Sequence, residues 1–155
     1  MNNATLFQYC PKLVVFSADK SAILLARRKG EADYDGVFSF IGGKVEHSDD
    51  GLLAGIRREK NEEIGAAAQV KVCDKMSCFT AWFQKKDGNI IVMPHHVALF
   101  AGGDIQLNAD EYAEYVWAPI TDLDTFEPKI ANIPEAVQAG QRMLSILQSD
   151  DFSEI

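Results

Sequence analysis

At 155 residues the chain has the length of one domain with a buried core. Its 47% hydrophobic and 25% charged residues describe a soluble globular protein, and no apolar run approaches the roughly 18 residues of a membrane span. A net charge of -8 excludes broad electrostatic attachment to nucleic acid, but not an anionic small molecule whose charge a metal ion offsets.

The start, MNNATLFQYC, lacks the basic residues and long apolar stretch of a secretory leader, so a cytoplasmic location is expected. Cys10, Cys73 and Cys78 form no CxxC pair and read as isolated core thiols. Leu13–Phe16 and Ala22–Ala26 are expected strands, joined by a turn at Asp19-Lys20-Ser21. Arg27–Asp35 is polar and reads as a loop, with Arg27, Arg28 and Lys29 placed to meet phosphate oxygens. Val37–Ile41 is a short strand-like run ending at Gly42-Gly43, a pair that lets the backbone turn sharply or approach a ligand closely. Gly51–Ile64 predicts a helix stopped by Gly65. Ser77–Gln84 and Ile90–Phe100 are expected strands around an Asp87-Gly88 hairpin turn. Phe38, Phe79, Trp82 and Phe83 are the aromatic residues available to stack on a base, or else to fill the core. His95 and His96 are adjacent in a strand and so point to opposite faces, one to the core and one to the surface. Tyr115–Ala118 is another short strand, and Pro134 opens a helix with Val137, Leu144 and Leu147 as its apolar stripe. This order of strands, helix, strands, helix predicts an α/β or α+β domain over residues 1–155, a mixed sheet flanked by helices.

The chemistry concentrates in residues 42–66. Glu59, Glu62 and Glu63 stand at i, i+3 and i+4, which places them on one helical face. They also sit near a helix C-terminus, where the dipole and their mutual repulsion both disfavour acids. A divalent cation would compensate, and hard carboxylate oxygens suit Mg2+ or Mn2+ better than zinc. Arg58 has the planar fork that can orient a carboxylate.

Together these residues resemble the Nudix box: a glycine, five variable residues, a glutamate, seven variable residues, Arg-Glu, an aliphatic, any residue, Glu-Glu, any residue, glycine and a small or aliphatic residue. Arg58-Glu59, Glu62-Glu63, Gly65 and Ala66 match in register. Trp117-Ala118-Pro119 and the strand order also look like the family. The chain departs from the pattern in three places. The loop after Gly43 is one residue longer, so either Asp50 or Asp49 takes the place of the first glutamate. Lys60 fills the aliphatic position, its stem expected to cover apolar surface while its ammonium reaches out. Ile41 stands where a proline often precedes the glycines.

The resemblance implies a Nudix fold and metal-dependent hydrolysis of a diphosphate bond in a nucleotide-like substrate. It assigns Mg2+ (or Mn2+) to Glu59, Glu62, Glu63 and the Gly42 carbonyl, with Glu59 as ligand, base or both. Arg58 would orient Glu59, and Asp50 or Asp49 would hold Arg58. Of the late loop acids, Glu111 is preferred to Glu114 as an assisting carboxylate. Arg27, Gly43, Lys44 and Phe38 are the substrate-binding candidates. A nucleoside triphosphate is the expected substrate in a housecleaning role, because family members resembling ADP-ribose hydrolases usually carry an extra N-terminal dimerising segment. Nucleotide sugars, dinucleoside polyphosphates and a non-catalytic nucleotide-binding module are the alternatives. A homodimer stays open.

Overall fold

Leu13–Phe16 has no polar position, so such a strand needs cover on both faces. The computed structural model, which describes residues 6–155, supplies that cover. Residues 1–5, part of the stretch read for a leader, lie outside the described residues. The elements are β1 (Phe7–Tyr9), β2 (Lys12–Phe16), β3 (Ala22–Arg28), β4 (Phe38–Ser39), α1 (Leu52–Ile64), β5 (Gln69–Val72), β6 (Phe79–Gln84), β7 (Ile90–Gly102), β8 (Tyr112–Pro119), α2 (Ile133–Leu144) and β9 (Ser153–Glu154). They form a mixed sheet of order β4-β3-β2-β7-β5-β9, with β1 and β6 also on β7 and β8 on β3. The long β7 is its axis. Its first half pairs with β1 in parallel and β6 in antiparallel; its second half pairs with β2 in parallel and β5 in antiparallel.

Period-two alternation sorts the buried side chains to two sides. Leu13, Val15, Leu24 and Ala26 pack with Ile56 and Ile64 of α1. Val14, Phe16, Ile23 and Leu25 pack with Ile133, Ala136 and Val137 of α2. A helix on each face explains why Leu13–Phe16 of β2 and Ala22–Ala26 of β3 are continuously apolar, and the expected mixed sheet flanked by helices is what forms.

The structure corrects several local expectations. β3 runs through Arg28, so the polar loop begins later than Arg27. Of Val37–Ile41 only Phe38–Ser39 is a strand, and Ile41 makes a single bridge to Leu13. His96 is buried like His95, because β7 is covered on both sides there. The Asp87-Gly88 turn forms as expected, with Lys85 N–H donating to Asn89 O at 2.8 Å. Cys10, Cys73 and Cys78 are unpaired thiols.

Candidate active site

α1 brings the acids and the backbone brings them partners. Its rotation is fixed by Ile56, Lys60 and Ile64, which are buried. That rotation sets the three glutamates of this face at different depths. Glu59 and Glu63, one turn apart, line a cleft of about 410 Å³; Glu62 turns outward beside Arg58, its side chain 55% exposed. Lys60 is also corrected. It is 1% exposed, and its ammonium donates to the carbonyls of Ala68 at 2.9 Å and Gly65 at 3.3 Å rather than reaching solvent. Burial lowers its pKa.

Glu63 is 4% exposed. Its Oε2 accepts from Gly42 N–H at 2.6 Å and its Oε1 from the Tyr112 hydroxyl at 2.8 Å. Burial raises its pKa to about 7, against the lowering effects of Lys12 and these donors, and Glu59 adds repulsion. Burial, then the neighbouring Glu63, pushes the Tyr112 hydroxyl upward. Gly42 has φ 128° and packs against the Pro11 carbonyl, where a Cβ would collide. Gly43 lies against the Glu59 carboxylate, with no space for a side chain between them.

Arg58 settles the open choice between two acids. Its Nε and Nη2 donate to the two oxygens of Asp49 at 2.8 and 2.9 Å, so Asp49, not Asp50, holds it. Nη1 donates to Glu59 Oε1 at 2.7 Å, and Nη2 also reaches the Lys44 carbonyl at 2.9 Å. The bond from Arg58 holds Asp49 down at about 2, and the same pairing raises the guanidinium.

The last carbonyls of α1 secure the next part. Ile64 O accepts from Gln106 N–H and Glu63 O from Asn108 N–H, both at 2.8 Å. The loop stitched there carries Glu111 to the cleft, where burial, then Glu59, Glu31 and Glu62, raises its pKa. Glu114 is elsewhere, 3.6 Å from Arg27. Arg27 bonds the Gly36 carbonyl and does not line the cleft; Arg28, next to a register shift in β3, does. Phe38 is core, packed on Phe126, because its strand lies beneath residues 126–130. Gly43 and Lys44 line the cleft as expected of substrate contacts. The aromatic wall comes instead from Phe40, Phe83 and Tyr34, with Tyr34 and Phe83 rings 5.2 Å apart. Phe79 packs on His95, and Trp82 lines the cleft from its rim, 68% exposed and edge-on to Phe7. Lys12, Asp33, Tyr34, Ser39, His95, Tyr112 and Asn132 reach the cleft without having been singled out for it. Strand parity marks inward positions but does not say which of them meet a cavity.

Among the described residues no three His, Cys, Asp or Glu side chains already form a metal-holding group. The donor chemistry fits a hard cation nonetheless. Glu59, Glu63 and Glu111 line one cleft; burial first, and then the charge of Glu59, raises Glu63 and Glu111, and a positive ion would offset both effects.

The NUDIX domain family matches residues 12–138. The chain is 32% identical over 114 residues to the CTP pyrophosphohydrolase of Escherichia coli (strain K12), covering 72% of this chain and 77% of that protein. Its fold is similar to the MutT protein from Methanosarcina mazei Go1, with TM-score 0.73, 19% identity and coverage of 92% and 99%. It is also similar to the NUDIX domain of Shewanella oneidensis NrtR complexed with ADP ribose, with TM-score 0.69, 16% identity and coverage of 91% and 90%. Family match, curated relative and fold agree: this chain belongs to the Nudix hydrolases, acting on phosphoric anhydride bonds in nucleoside diphosphate-linked substrates.

Proposed function

We propose that this chain is a single Nudix domain that hydrolyses a nucleoside triphosphate to the monophosphate and pyrophosphate, using Mg2+ or Mn2+, as a cytoplasmic housecleaning enzyme. The observation that carries the reading is Arg58, whose fork grips Asp49 while holding Glu59 against Gly43. Such an arrangement orients a carboxylate for chemistry rather than for solubility. The CTP pyrophosphohydrolase relative supports the triphosphate.

Glu59, Glu63, Glu111 and the Gly42 carbonyl would hold the ion, with Glu62 at the outer end of the same acidic face. When bound, the ion supplies charge neutralisation on the phosphoryl oxygens. The Gly42 amide and Tyr112 hydroxyl keep Glu63 in place. Arg58 fixes the carboxylate plane of Glu59. Glu111, whose proton affinity burial raises, is suited to take a proton from the attacking water, a task it shares with Glu59. Lys44 and Arg28 line the phosphate end, and Tyr34 and Phe83 flank the end where a base would stack.

The test is a screen of triphosphates, dinucleoside polyphosphates and nucleotide sugars with Mg2+ or Mn2+, in heavy-oxygen water. Monophosphate and pyrophosphate should form, with the label on a phosphate product and no turnover in excess chelator. Label on a sugar carbon, or full turnover without metal, overturns the mechanism. Nucleotide binding without any turnover identifies a binding module instead.

A further inference from the structure

Gly42 turns both of its polar groups to charged side chains. Its N–H donates to Glu63, and its carbonyl accepts from Lys12 Nζ at 2.7 Å. Lys12 opens β2, whose next four residues are buried, so its stem is anchored where the strand enters the sheet. The ammonium thus stands in the cleft with Glu59 and Glu63. Its charge opposes the effect of burial on Glu63, while nearby His95 is kept neutral by burial.

We propose that Lys12 is a tethered cation occupying the Gly42 carbonyl and the field of Glu63, so that a divalent ion loading onto these groups must displace it. The inference rests on the metal reading above. Two cations beside one buried carboxylate repel in a wall of low dielectric, and each weakens the hold of the other. Lys12 thereby sets the ion concentration at which the site fills. It acts on the metal through its charge, as a competitor for the site, and takes no part in proton transfer.

Mn2+ titration of the chelator-treated full chain, read by the free-ion resonance signal, tests this without turnover. Lys12→Gln can still donate to the Gly42 carbonyl but has no charge; it should bind Mn2+ about tenfold tighter than wild type. Lys12→Arg keeps the charge and should stay within about twofold. If Lys12→Gln does not fold, wild type labelled with nitrogen-15 lysine serves: Mg2+ should move the Lys12 ammonium signal, assigned by its loss in Lys12→Arg. Equal or weaker Mn2+ binding by a folded Lys12→Gln, or a Lys12 signal unmoved at saturating Mg2+, overturns the inference alone. A wild type that binds no Mn2+ overturns the metal reading and this inference with it.

Discussion

Arg58 joins three parts of the site with one side chain, since Asp49, the Lys44 carbonyl and Glu59 come from the loop before α1 and from α1 itself. Arg58→Ala should therefore lower kcat strongly while metal affinity stays within about tenfold. Initial rates beside a Mn2+ titration check this; parallel loss of both would make Arg58 a support of the helix. His95 gives a pH prediction. Buried between Phe40 and Phe79, its pKa is pushed from 6.5 down to about 4. The unfolded chain binds a proton there that the fold refuses. Stability present above 6.5 is thus lost as pH falls toward 4, by on the order of 3 kcal/mol. Glu63 works oppositely, costing stability as pH rises from 4.5 toward 7. The difference in unfolding free energy between wild type and His95→Gln isolates the histidine, and a difference flat across pH 4–6.5 rejects it. At this scale the acids were legible because helical spacing is a strong constraint. The placement of Phe38 and His96 was not, since whether a strand side chain meets core, cleft or solvent depends on what the rest of the chain lays over it.

Helix α1 has no side-chain N-cap, and its order comes from packing and from its last turn. Lys60 contributes there by bonding Gly65 and Ala68 carbonyls. Lys60→Ala should destabilise the protein by about 2–4 kcal/mol through lost packing and unpaired carbonyls. Denaturant melts measure it; a loss under 1 kcal/mol by the same reasoning would mean water replaces the ammonium. The orientation of α1 also splits its acids. Glu62→Gln, on the exposed side, should leave metal-free stability unchanged or slightly higher and lower turnover less than Glu63→Gln. Paired melts and rates decide this, and a larger catalytic loss at Glu62 would place the metal on the outer side. The boundaries of α1 were readable from Gly51 and Gly65. β1, β5 and β9 were not, because strands of 3, 4 and 2 residues carry too little pattern and exist through their partners.

Across the whole molecule the sheet is a partition between two cores, with α1 and the acids on one side and α2 on the other. The site draws on both, so its geometry depends on the complete sheet. Mg2+ should raise the melting temperature of wild type by binding linkage and raise that of Glu63→Gln less. An equal rise in both proteins would remove Glu63 from the metal site. The architecture was legible in outline because continuous apolar strands and two amphipathic helices leave few arrangements; the axial role of β7 was not, since parallel pairing leaves no local mark. That role has a consequence for how the chain reaches its native state. β1 and β2 come from the beginning of the chain, yet both pair directly with β7, from its second half. The edges they turn to β7 stay unmet until it has been synthesised, although β2 can already pair with β3 on its other side. Closing such distant contacts is slow on the scale of small domains. During synthesis the apolar Leu13–Phe16 segment therefore waits exposed, and nascent chains ending before Ile90 should be degraded or chaperone-bound, whereas chains extending past Gly102 can begin to close the sheet.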